Sequence, residues 1–165
     1  MSQLLLVRDV MRIGVPTCRL GDTVAHVAAL LIDGGHTAVV VLDEEADTRG
    51  WINERILASA YERAAATGED AAGFAAQDVM EEDVPESPSD IPLAAAVGIM
   101  ADLGVDHLLF LHHAAGRTWP ASVLSLRDVV KALAGPEYIK NQGTAAPRPT
   151  PMDLFRQRYG LTSRR

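Results

Sequence analysis

The chain has 165 residues, 48% hydrophobic and 22% charged, a balance that excludes global disorder and allows one domain or two small units sharing a core. Its longest apolar run, around "TAVVVL", is strand-sized, well short of the roughly 18 residues of a membrane-spanning helix. The net charge of -7 is uneven: from residue 143 onward five arginines face one acid, so the tail carries about +4 and the remainder about -11, which disfavours general nucleic-acid binding.

In chain order, the opening "MSQLLLVRDVM" lacks the basic stretch and the apolar length of a secretory signal, and a cytoplasmic location is expected. Cys18 stands alone, which leaves neither an internal disulfide nor a cysteine-based metal site, and it has no paired histidine to activate it as a nucleophile. From Arg8 the sequence begins a unit that returns 69 residues later. "RDVMRIGVPTCRLGDTVAHVA" lies over "QDVMEEDVPESPSDIPLAAAV" without a gap: Asp9 meets Asp78, Met11 meets Met80, and Val15-Pro16 meets Val84-Pro85. Gly35 then meets Gly104, "AVVVLD" meets "HLLFLH", and after three extra residues in a turn "GWINERIL" meets "SVLSLRDV".

Each copy reads as the same elements. A short extended segment passes through Val-Pro, where proline removes a backbone donor and suits a strand start or an edge. In the first copy, Val24, Val27, Ala28 and Leu31 recur at helical spacing, with Asp22 or Thr23 as N-cap and Gly34-Gly35 as the stop. In the second copy the helix is expected to begin at Asp90, with Pro92 in its first turn, and to stop at Gly104. Two apolar strands follow, expected to be covered on both faces, and a second helix closes each unit. The boundaries are 7–68 for the first unit and 74–134 for the second, with 135–165 a linker and basic tail. Within the tail, "PMDLFRQRYGL" reads either as a frayed end or as a docking helix capped by Asp153.

The closing helix of the second unit starts at Ser125, with Asp128 three residues on. This is the spacing of a capping box, and the pair is either only a cap or also a place to hold a ligand. The first unit has Asn53 and Ile56 there, which keeps a cap and loses the carboxylate.

This order of elements, carried by "RDVM", "QDVMEEDVP", "GDTVAHVAALLIDGGHTAVVVLD", "GVDHLLFL" and "SVLSLRDVV", resembles the CBS (cystathionine-β-synthase) domain, and the two copies resemble the tandem CBS pair. The resemblance covers about four-fifths of the chain. It implies an α/β fold of two β-α-β-β-α units packed sheet to sheet about a pseudo-twofold axis, with two clefts for adenosine-containing ligands. The family signature is Gly, two apolar residues, Ser or Thr, two variable residues, then Asp. It assigns Asp128 to the ribose hydroxyls and Ser125 to the helix start beside phosphate, with Ser122 at the usual glycine position. Physical chemistry agrees with those roles, since a carboxylate suits a vicinal diol and a helix N-terminus suits an anion. His107 stands where family members often place a basic residue near phosphate. The second cleft is therefore expected to bind AMP, ADP, ATP or S-adenosylmethionine and the first, with Ile56, to be degenerate.

"VDHLLFLHH" gathers Asp106, His107, His112 and His113, but strand alternation points His107 with Leu109 and Leu111 and sends His112 the other way, so no metal site is expected. His112 and His113 are expected in an exposed turn. Trp51 and Trp119 read as packing residues, Trp119 near enough to the cleft to report on a ligand by fluorescence. No catalytic set assembles, so no enzyme is expected and no cofactor is required. The expected function is a stand-alone sensor or regulatory module, a homodimer with a separate protein partner and no membrane contact. The alternative is a structural or interaction dimer that has lost nucleotide binding.

Overall fold

The computed structural model describes residues 4–140; the docking helix expected around Asp153 lies outside them. In the first unit, β2 (Thr17–Arg19) runs parallel to β3 (Ala38–Leu42), which pairs antiparallel with β4 (Thr48–Asn53). Helix α2 (Val24–Asp33) buries Val24, Val27 and Leu31 and is capped by Thr23, whose hydroxyl accepts from the His26 N–H at 3.2 Å. Helix α3 (Glu54–Thr67) closes the unit and ends at Gly68, whose φ of 74° is the left-handed conformation glycine adopts without strain.

The second unit repeats this with α5 (Leu93–Leu103), β5 (His107–Ala114), β6 (Arg117–Ser125) and α6 (Leu126–Ala134), followed by a short α7 (Pro136–Lys140). Two of its boundaries differ from expectation. Helix α5 begins at Leu93 rather than Asp90, with Pro92 as its N-cap, because residues 89–91 are engaged by another segment of the chain. Strand β5 runs on through His112 and His113 to Ala114, and these histidines lie on an exposed strand end rather than in a turn. The turn itself is Ala115-Gly116, both at positive φ (51° and 75°), the conformation a two-residue hairpin requires.

What sets the two units against each other is a reciprocal exchange of their leading segments. Helices α1 (Val7–Val10) and α4 (Ala76–Val79) each carry the repeated Asp-Val, and the aspartate accepts from the backbone at the helix start: Leu6 N–H to Asp9 at 3.0 Å, Ala75 N–H to Asp78 at 3.2 Å. Each then docks on the other unit. Val7 N–H donates to Ile91 and Arg8 N–H to Ser89, as Ala76 N–H donates to Asp22 and Gln77 N–H to Leu20. The first N–H of α5 donates to Leu5, as that of α2 donates to Phe74, which satisfies a donor that a helix start leaves free. Every pair of bonds is related by the offset of 69, which defines the pseudo-twofold axis.

The exchange extends to the sheets. Strand β1 (Arg12–Ile13) lies in the leading segment of the first unit but pairs antiparallel with β6, giving the order β1-β6-β5; Glu81 bridges in the same way to Trp51, beside the first sheet of order β2-β3-β4. One buried cluster joins Val39, Val41 and Ile52 of the first unit to Val79, Leu109 and Val123 of the second. A second cluster puts Val7 and Val10 with Leu93, Met100, Leu108 and Leu124. Each such side chain contributes on the order of 1.5–3 kcal/mol on burial, so neither unit keeps its full core without the other.

Candidate functional site

Ser125 ends β6 and caps α6. The Asp128 N–H approaches the Ser125 hydroxyl at 3.4 Å, while the Asp128 carboxylate accepts through Oδ2 from the Ser125 N–H at 3.0 Å and the Ser125 hydroxyl at 2.8 Å. The ammonium of Lys131 stands 3.5 Å from Oδ1. Both residues are buried, Asp128 being 4% exposed. His107 pairs with Ser125 across the β5–β6 ladder, so the three residues singled out in the sequence come together. The cluster continues into the first unit: Asn53, the repeat equivalent of Ser125, caps α3 by accepting from the Ile56 N–H at 2.9 Å, and its amide nitrogen lies 3.5 Å from His107 Nδ1. The Trp51 ring is 5.9 Å from that of His107. Buried, His107 has its pKa lowered by desolvation, opposed by the charges of Asp106 and Asp128 and assisted by Arg55.

Three residues back along β6 from Ser125, at Ser122, begins a groove of about 950 Å³, within the size range of small-molecule sites. Met11 and Ile13 of the exchanged segment form one wall, Glu86 to Asp90 another, and Phe110, Trp119 and Ser122 of the β5–β6 hairpin complete it. Ser122, the residue at the signature's glycine position, lines the groove; Ser125, Asp128 and His107 do not. Trp119, 40% exposed, packs against His112 with ring centroids 5.8 Å apart.

The equivalent place in the first unit, around Arg19 to Asp22 and Leu42 to Glu44, has two smaller spaces of about 370 and 320 Å³. Asp43, the repeat equivalent of His112, turns its carboxylate onto the Glu45 and Asp47 N–H groups and the Arg49 guanidinium (2.6 Å), and the Asp47 N–H bond is the main reason its pKa is lowered.

The walls of the groove as a whole are not written in any local pattern of the sequence. Ile13 comes to the groove only through the exchange, whereas Glu86 bridges to Leu109 within its own unit, and the recurrence of Val-Pro just ahead of Glu86 is the signal the sequence offers for that wall. Cys18 is buried and its thiol pKa is pushed up to about 12 by that burial and by Asp22. Among the described residues no three His, Cys, Asp or Glu side chains group as metal ligands, and no helix is long and apolar enough to cross a membrane.

Comparison with known proteins agrees with this architecture. Residues 7–63 match the family model of the CBS domain. No curated protein matches in sequence. Among solved structures, a CBS-domain containing protein from Agrobacterium tumefaciens is 24% identical, with 81% of this chain and 96% of that one covered and a TM-score of 0.67. An uncharacterized conserved protein from Pyrococcus horikoshii is 15% identical, with coverages of 81% and 95% and a TM-score of 0.67. The CBS domain pair of protein MJ0100, solved with 5′-methylthioadenosine and S-adenosyl-L-methionine, is 16% identical, with coverages of 78% and 99% and a TM-score of 0.62. The first unit is thus a CBS domain by its sequence, and the chain has the fold of a tandem CBS-domain pair.

Proposed function

We propose that this CBS pair is a stand-alone regulatory module that binds one adenosine-containing ligand in the groove of the second unit and signals to a separate protein. CBS-domain pairs are commonly regulatory and non-catalytic, and the MJ0100 pair holds two adenosine derivatives. The observation that carries the reading is the difference between the two clefts: about 950 Å³ walled by Trp119, Phe110 and Ile13 in the second unit, against two small spaces beside the Asp43 turn in the first.

Ligand in this groove would touch both units at once, because Met11 and Ile13 belong to the first unit's leading segment. Asp128 is the proposed ribose contact. Because Asp128 is buried and does not line the groove, a diol would reach it only if the start of α6 shifts and frees Oδ1 from Lys131 or Oδ2 from Ser125, and that movement would couple binding to α6; His107 would carry the change to Asn53. Such coupling shifts an orientation only if the two orientations differ in affinity for the ligand. Exposed Leu126, Val130 and Leu133 along α6 support the proposed homodimer.

The test is fluorescence. Adenosine derivatives titrated into the wild-type chain should change Trp119 emission saturably, and Trp119→Phe should abolish the change while leaving the fold intact by circular dichroism. A wild-type chain whose emission and melting temperature ignore every adenosine derivative would be the structural dimer instead.

A further inference from the structure

The groove's walls carry an unexpected charge pattern for a nucleotide site. Among the described residues their ionisable members are Glu86, Asp90 and His112, with no lysine or arginine. The arginines of the segments that build it are turned elsewhere: Arg12 donates to the Gly35 carbonyl at 2.8 Å, and Arg117 donates to the Glu45 carbonyl on the first unit. Arg8 meets Ser89 through its backbone and does not line the groove. Phosphate recognition ordinarily uses either such cations or open N–H groups at a helix start. Two helix starts flank the groove in sequence: at α5 the first N–H, of Leu93, is already donated to the Leu5 carbonyl, and at α6 the buried carboxylate of Asp128 is an anion the helix start already holds.

We infer that the groove selects adenosine derivatives without phosphate, and among them favours a cationic 5′ substituent such as a sulfonium. This rests on the groove being the ligand site. The adenine would lie among Ile13, Phe110 and Trp119, and the 5′ substituent would face Glu86 and Asp90. A phosphate there meets two carboxylates with no lysine or arginine among the described lining residues; a sulfonium meets complementary charge. Glu86 is partly committed, since His113 Nε2 lies 2.5 Å from its Oε1, which leaves Asp90 as the less engaged of the two.

The experiment is isothermal titration of the full chain with 5′-methylthioadenosine, S-adenosylmethionine, AMP and ATP, at low and at raised ionic strength. The two phosphate-free ligands should bind at least about tenfold more tightly than AMP or ATP, and salt should weaken S-adenosylmethionine while leaving methylthioadenosine almost unchanged. The double variant Glu86→Gln, Asp90→Asn should narrow the gap between S-adenosylmethionine and AMP. Binding of AMP or ATP as tight as that of the sulfonium, or an unchanged gap in the double variant, would overturn the inference and leave the groove as the ligand site. Failure of all four ligands to bind a folded chain would overturn the site itself.

Discussion

Asn53 and His107 meet across the boundary between the units, amide nitrogen to Nδ1 at 3.5 Å, with both side chains buried. Because the Asn53 oxygen accepts from the Ile56 N–H, the amide can offer His107 only a donor. Nδ1 must then be the acceptor, which places the ring proton on Nε2, a buried atom with no partner among the described residues.

This sets a sign for the pH dependence. His107 has a folded-state pKa below its ordinary 6.5, chiefly through desolvation, so the unfolded chain binds the proton more readily. Its contribution to stability is complete above about pH 6.5 and is lost as pH falls below that value, at up to about 1.4 kcal/mol per pH unit until the folded state also protonates. Urea melts at pH 7.5 and 5.5 check this. His107→Gln should reduce the loss seen in the wild type, and equal losses in the two proteins would place the sensitivity elsewhere.

At the start of α6, Ser125 and Asp128 satisfy each other's backbone and leave no room for one without the other. Ser125→Ala should cost about 1 kcal/mol as a lost cap. Asp128→Ala should cost about 1–3 kcal/mol, because it strands buried donors on Ser125. The Lys131 contact, at 3.5 Å and partly exposed, adds little. Denaturant unfolding of the two single variants and the double variant would show strong non-additivity, with the double costing far less than the sum.

Gly50 and Ser122 hold equivalent places in the repeat but not equivalent surroundings. A Cβ on Gly50 would sit 2.6 Å from the Glu81 carbonyl oxygen and 2.8 Å from the Met80 sulfur, both on the segment exchanged from the second unit. Gly50→Ala should therefore destabilise by about 1–3 kcal/mol through overpacking. The complementary change, Ser122→Gly, removes a small buried side chain and should cost less; thermal melts of the pair make the comparison.

The repeat made the architecture readable in advance, because Asp-Val-Met, the glycine stops and the apolar strand runs report local conformation and recur in order. What a local pattern cannot report is a pairing partner. Residues 7–13 read the same whether they pack on their own unit or on the other one, and only the bonds from Val7 and Arg8 to Ile91 and Ser89 decide it. The groove escaped for that reason, since Ile13 and Glu86 are brought together by the exchange. The length of β5 escaped because Ala115, a poor residue for positive φ on sequence grounds, nonetheless makes the turn. The Ser125 and Asp128 cap was plain from its spacing, whereas the burial of that carboxylate was not.

The most direct measurement is the count of ligand sites per chain. Equilibrium dialysis with radiolabelled methylthioadenosine should give one site per chain, and binding should be weakened when Trp119, at the mouth of the groove, is changed to Ala. Two equal sites per chain, or saturable binding that Trp119→Ala leaves untouched, would contradict a single groove on the second unit.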